Sequence, residues 1–272
     1  MAGMFAVPAF AVPAFAVPGA ATGPSFPALS ADVASQTSSS VARDAAGDTV
    51  VVWADESVHA IFGRRFAADT SPLDDGFQIS ATGANLGDNS LPDMAMDAGG
   101  SFVVTWLERA GSHMHVVARR YRADGAAVAA RFPVESATVL TDNGGPAVAM
   151  DAAGDFVVGW ERTNAVINRD LSLGFNQNVI ELSDRSVVAA RFAADGTPQG
   201  AVVTAATRSS VIIGESVFVS IFLAAGTFDN LSICKTVDVA MDASGDFVLA
   251  WGGRFSAGSY VDIGLLFPPT AS

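Results

Sequence analysis

Asp151-Ala-Ala-Gly-Asp-Phe-Val-Val-Gly-Trp160 decides how this chain is read, because the phrase returns three more times. The other copies are Asp44-Ala-Ala-Gly-Asp-Thr-Val-Val-Val-Trp53, Asp97-Ala-Gly-Gly-Ser-Phe-Val-Val-Thr-Trp106 and Asp242-Ala-Ser-Gly-Asp-Phe-Val-Leu-Ala-Trp251. Each of the chain's four tryptophans stands nine residues after its aspartate. Asp suits the first position of a type I turn, and Gly three residues on supplies a positive φ. Apolar residues resume on both sides, so the phrase predicts a hairpin corner running into a buried strand.

Along that strand side chains alternate, which puts Phe156, Val158 and Trp160 on one face and Val157 and Gly159 on the other. Both faces are apolar, so the strand is expected to be covered on both sides. Val52, Thr105, Gly159 and Ala250, just before the tryptophans, are mostly small, as a closely approaching neighbour sheet requires. Ahead of the turn, Met94-Ala-Met96, Val148-Ala-Met150 and Val239-Ala-Met241 alternate likewise, with Ala42, Ala95, Ala149 and Ala240 on the second side. These are strands a and b of a repeat.

Strand c follows as Ile61–Phe66, Val116–Tyr121 and Val187–Phe192, then a turn at Ala68-Asp69, Ala123-Asp-Gly125 or Ala194-Asp-Gly196. Strand d is expected at Phe77-Gln-Ile-Ser80, Phe132-Pro-Val-Glu135 and Ala201-Val-Val-Thr204. Tryptophans at 53, 106, 160 and 251 are separated by 53, 54 and 91 residues, so the third repeat carries insertions, near 164–184 and 208–233. The second contains Val217-Phe-Val-Ser-Ile-Phe-Leu223, which is expected to add core.

Tyr260–Phe267 takes the strand c position of the fourth repeat, which has no strand d after it. Phe26-Pro-Ala-Leu-Ser30 aligns with the other d strands, so the N-terminal strand is expected to complete the last sheet and leave no open edge. Four repeats of four strands predict an all-β, β-propeller-like array. An open array of sheets, or half of a larger ring completed by a second copy, are the alternatives.

Residues 1–22 read as a leader: Phe-Ala-Val-Pro recurs from 5 to 18, with prolines at 8, 13 and 18. Proline every five residues rules out a transmembrane helix there, and no basic residue precedes Arg43 to mark a standard export signal. Residues 23–272 form the repeat domain, with half of the chain hydrophobic and therefore able to fill a large core. A net charge of −13, with Lys235 the single lysine, excludes the basic footprint that nucleic acid requires. Cys234 is the only cysteine, so no intrachain disulfide can form.

The motif Val-Ala-Met-Asp-Ala-x-Gly-Asp-Phe-Val-Val-x-Trp, followed by Ala-Arg-Arg-Phe/Tyr-x-Ala-Asp-Gly, resembles uncharacterised repeat modules of secreted and surface bacterial proteins. The likeness spans roughly residues 38–267 outside the insertions. It implies a propeller-like fold and a secreted or cell-surface setting, often beside calcium-binding or adhesion modules. This chain lacks the Gly-Gly-x-Gly-x-Asp nonapeptides of such neighbours.

Three corners pair carboxylates, Asp44/Asp48, Asp151/Asp155 and Asp242/Asp246, which raises calcium as a cofactor. Calcium takes six to eight oxygens, whereas each corner offers two carboxylates and the second corner has Ser101 in place of one, so plain turns are the expectation. Gly and Trp three and nine residues after Asp do not match the Asp-box of sialidase-type propellers. Asp55, Glu108 and Glu161, just past the tryptophans, are the carboxylates that a hydrolase on one rim would use. His113-Met-His115 puts two imidazoles on one strand face, read as incidental because no carboxylate motif adjoins them. No catalytic, cofactor-binding or metal-ligating residue is assigned. The expected function is a non-catalytic extracellular binding or adhesion module for a glycan or cell-surface protein, the alternative being a carbohydrate-active hydrolase or lyase.

Overall fold

A computed structural model describes residues 28, 36–81, 91–110, 113–135, 141–172, 177–213, 237–255 and 258–266. They form four antiparallel sheets, one per repeat, and contain no helix. The first sheet orders β1 (Gln36–Arg43), β2 (Thr49–Asp55), β3 (Ala60–Phe66) and β4 (Phe77–Gln78) side by side. The second repeats this with β5 (Asp93–Met96), β6 (Phe102–Ala110), β7 (His113–Tyr121) and β8 (Phe132–Pro133). In the third, β10 (Ala147–Met150), β11 (Phe156–Ser172), β12 (Gln177–Phe192) and β13 (Val203–Ile213) are joined by β9 (Thr141–Asn143), which pairs with β11. The fourth holds β14 (Val237–Met241), β15 (Phe247–Phe255) and β16 (Gly258–Leu266).

Register is common to the repeats because one corner sets it. Trp53, Trp106 and Trp160 stand opposite Phe62, Val117 and Val188, and Val41, Met94, Val148 and Val239 stand opposite Val51, Val104, Val158 and Leu249. Aspartate's amide closes each corner on the carbonyl four residues ahead, at 2.9 Å for Asp44, Asp97 and Asp151 and 2.8 Å for Asp242. The corner glycines Gly47, Gly100, Gly154 and Gly245 have φ between 87° and 96°, the left-handed region that only glycine enters without strain.

The core lies between sheets, in three clusters built alike. Val50, Val52 and Ile61 of the first sheet meet Phe102, Val104 and Trp106 of the second. Val103, Leu107 and Ala118 of the second meet Phe156, Val158 and Trp160 of the third. Val157, Val187 and Ala189 of the third meet Val237, Phe247 and Leu249 of the fourth. The tryptophan face of each later sheet therefore packs on the opposite face of the sheet before it. Val157 and Phe156, adjacent in sequence, are both fully buried, as the two-sided apolar pattern required. The close approach expected before the tryptophan is visible at Gly159, where a Cβ would stand 2.6 Å from Leu249 Cδ2.

Ring stacks clamp two repeats where strand b starts and strand c ends: Phe102 on Tyr121 at 4.8 Å and Phe156 on Phe192 at 5.0 Å. Strand a is tied across repeats by Asp93, whose Oδ1 accepts the Ser40 hydroxyl at 2.9 Å and whose Oδ2 accepts the Val148 amide at 3.0 Å. One buried carboxylate thus links β1, β5 and β10.

Two expectations change, and one insertion gains a structure. The outer strands β4 and β8 are only two residues long, each pairing with β3 or β7 at two positions, and one further amide, Ile79 or Val134, still donates to strand c. β13 starts at Val203 and runs on to Ile213 along β12. The first insertion, expected from length alone, is strand: Asn164–Ser172 pairs with Gln177–Asp184, so it lengthens the b–c hairpin into an arm, after an irregularity between Asn164 and Val166. The leader, most of the second insertion and the strand expected at Phe26–Ser30 lie outside the described residues, Ala28 excepted. No helix among the described residues is long and apolar enough to cross a membrane.

Candidate functional site

Each corner aspartate spends one carboxylate oxygen on backbone amides. Asp44 Oδ1 accepts the amides of Gly47 and Asp48 at 2.8 Å, and Asp97 Oδ1 accepts those of Gly99 and Ser101 at 2.8 and 2.9 Å. Asp151 Oδ1 takes Ala153 and Asp155, and Asp242 Oδ1 takes Ser244 and Asp246. Ser244's hydroxyl also donates to Asp242, which holds that carboxyl below the usual aspartate value. The same motif, a following Ser or Thr donating to Oδ1, lowers Asp69 through Ser71 and Asp195 through Thr197 at the c–d turns.

The second carboxylate of the phrase ties its own repeat together. Asp48 Oδ1 accepts the Ala68 amide at 3.0 Å, and Asp155 Oδ1 accepts the Ala194 amide at 2.7 Å, fastening the a–b corner to the c–d turn. From strand c, Arg65 pairs with Asp74 at 2.8 Å and donates through Nη1 to the Ala123 carbonyl of the next repeat. A pocket of about 40 Å³ between these corners, lined by Asp44, Asp48, Arg65, Gly100 and Ala123, has room for water but not for a sugar. Among the described residues no group of three or more His, Cys, Asp or Glu side chains is placed to hold a metal ion.

At the other end of the sheets, past the tryptophans, the polar residues are less uniform. Asp55 accepts the Ser57 amide at 2.9 Å and turns the β2–β3 hairpin. Glu108 is the equivalent residue of the second sheet, two places after its tryptophan; its Oε1 is paired with Arg131 and its Oε2 is buried without a hydrogen-bond partner. Glu161 follows Trp160 by one place only, so it faces the opposite side of its strand from Glu108. The three carboxylates do not form one equivalent set. Position for position, the third sheet has Arg162, which crosses to Glu135 of the second sheet in an ion pair. Counting from each tryptophan would have shown the offset; Glu135 and Asp93 carried no such signal.

His115 stands directly opposite Glu108, and His113 opposite Ala110, so both imidazoles share a face with Glu108. His115 is 9% exposed and His113 half-buried. Three polar side chains thus share one face, with Arg131 paired to Glu108. Glycoside hydrolases typically flank the scissile bond with two carboxyl groups. Here Asp55 caps a turn, Glu108 and Glu135 are bound to arginines, and Glu161 faces away.

No protein-family model matches this chain, and no curated protein matches it. Among solved structures, it is similar to an endo-arabinase from Bacteroides thetaiotaomicron at 10% identity and a TM-score of 0.30, covering 82% of this chain and 91% of that one. A structure from the GH130 family of mannoside phosphorylases, containing glycoside hydrolases that target β-1,2 mannosidic linkages in Candida mannan, gives 12%, 0.28, 85% and 83%. A glycosyl hydrolase from Bacteroides ovatus gives 10%, 0.26, 83% and 82%. Likenesses of this size decide neither fold nor chemistry, which rest on the chain's own residues.

Proposed function

We propose that this chain is a non-catalytic extracellular binding or adhesion module on a β-propeller-like scaffold, whose ligand is a glycan or a cell-surface protein. Phe26–Ser30 is, in this reading, the outer strand of the fourth sheet. The observation that carries the functional reading is the arm of the third repeat. β11 and β12 continue past the last pair shared with the second and fourth repeats, from Asn164 to Ser172 and back from Gln177, over roughly 30 Å at ~3.4 Å per residue. Among the described residues the arm is the element that departs from the common repeat, and segments outside a common scaffold can vary without cost to the core, which supports recognition there. The occupied carboxylates of the rim and corners support binding over hydrolysis.

The second repeat supplies the control for a test. Its hairpin turns at Ala110 and His113, the positions equivalent to Asn164 and Asp184. Replacing residues 165–183 with Gly-Ser, as at 111–112, shortens the arm to the standard hairpin. Arrays of glycans and cell-surface preparations should retain the full chain and lose the shortened one at least tenfold, while the shortened chain, which also gives up the pairs of Ile180–Ser183 with β13, keeps a cooperative β-rich melt. Turnover of a polysaccharide by the full chain, abolished in Glu108→Gln, would overturn the proposal in favour of a hydrolase.

A further inference from the structure

The three junctions between described sheets are one interface used three times, head to tail, and among the described residues two halves lack a partner sheet: the opposite face of the fourth sheet and the strand a edge of the first sheet's tryptophan face, where Val41 lies open although Trp53 itself is buried. Strand a reports this residue by residue. Met94 and Val148, three places before their corner aspartates, are 5% and 6% exposed because the preceding sheet covers them; Val41, their equivalent in the first repeat, is 63% exposed. On the opposite face Ala42, Ala95 and Ala149 are partly buried by the sheet that follows, whereas Ala240 is exposed.

Asp238 gives an independent sign of what belongs there. It occupies the place of Asp93, four residues before the corner aspartate, and Asp93 accepts the amide of Val148 in the next repeat. Asp238 is exposed, with only its Oδ1 engaged, by the Val239 amide at 3.0 Å, and the amide that would complete the pattern on Oδ2 belongs to the residue equivalent to Val148, which is Val41. Donor and acceptor of a fourth junction are thus both present, and both are left at the surface within one chain.

We propose that a second copy of the chain supplies the missing half, so that two copies stack head to tail and close a ring of eight sheets, with Asp238 of each accepting the Val41 amide of the other. Eight is within the usual four to eight of such rings, and a head-to-tail contact makes a closed assembly only when its rotation closes. The proposal rests on the stacking of the sheets and not on the ligand.

Light scattering after size exclusion tests it on the full chain, with Val41→Glu and Ala240→Arg made separately; both positions are exposed within one copy, so each variant should keep wild-type circular dichroism and a cooperative melt, lowered only by the stacking it loses. Wild type should weigh two copies of 27.8 kDa, and each variant one. Mixing the two variants should restore the pair, because one of its junctions is then wholly wild type and the other sets Glu against Arg. Asp238→Ala should weaken the pair at least tenfold. A single-copy mass for wild type, a mass above two copies, or variants that stay paired or fail to pair on mixing would each overturn it.

Discussion

At the residue scale the recurring phrase is explained without a ligand. Asp151 gathers the amides of Ala153 and Asp155 on one oxygen, and it is itself buried. Asp151→Ala leaves two amides unmade and should cost about 2 kcal/mol in urea unfolding. Because the corner Oδ1 atoms are engaged, melting in excess calcium and in chelator should coincide; a shift of many degrees would make the corners metal sites. Gly159→Ala forces a Cβ against Leu249, a fully buried neighbour, and should cost about 1–3 kcal/mol. Two titrations bound the pH range of stability. Asp69, Asp195 and Asp242 are held below their ordinary 3.8 in the fold, so their contribution is present above that value and lost as pH falls through the lower folded values. Tyr121 is pushed up from 10.0 to about 12 by burial, against the lowering charge of Arg119, so stability present below 10 is lost as pH rises to about 12. Tyr121→Phe should remove that alkaline slope in melts taken across the interval.

At the element scale, what could be read from the chain was whatever the backbone period dictates. Asp and Gly at fixed offsets gave the corners, alternation gave the two buried faces, and a small residue before Trp160 gave the close approach of the fourth sheet. Side-chain pairing across repeats has no such period. Asp93 sits where the other repeats have Ser40, Ala147 and Asp238, and its role is set by a hydroxyl 53 residues before it and an amide 55 residues after it. Glu161 was grouped with Glu108 by nearness to a tryptophan, yet an offset of one residue reverses the face of a strand. The arm of β11 and β12 was legible as surplus length but not as strand. Asp93→Ala follows from the contacts: it strands the Val148 amide between β5 and β10 and should cost about 2–3 kcal/mol, more than Asp93→Asn, which keeps an acceptor. Chemical unfolding of the two variants side by side measures the difference.

At the scale of the whole molecule, stability depends on how sheets end. In the first three sheets strand c is flanked by a fourth strand, β4, β8 or β13, whereas among the described residues β16 pairs with β15 alone. A strand edge left open exposes a row of backbone donors and acceptors, so the fourth sheet gains from any strand that covers it. The candidate is Phe26–Ser30, whose Phe-x-x-x-Ser spelling matches Phe132–Ser136. Covering an edge with a short strand is worth a few kcal/mol, which for a domain of this size moves the melt by on the order of 5–10 °C. Removing residues 1–20 takes away only the Pro-rich leader and should leave the melt where it is. Removal of 1–31 takes the strand as well and should lower it by that amount, whether the strand serves its own chain or the other copy of a ring. Equal melting temperatures for the two truncations would mean that the fourth sheet is stable with three strands, and the strand assignment would fall while the stacking of the sheets, carried by Trp106, Trp160 and Leu249, would stand.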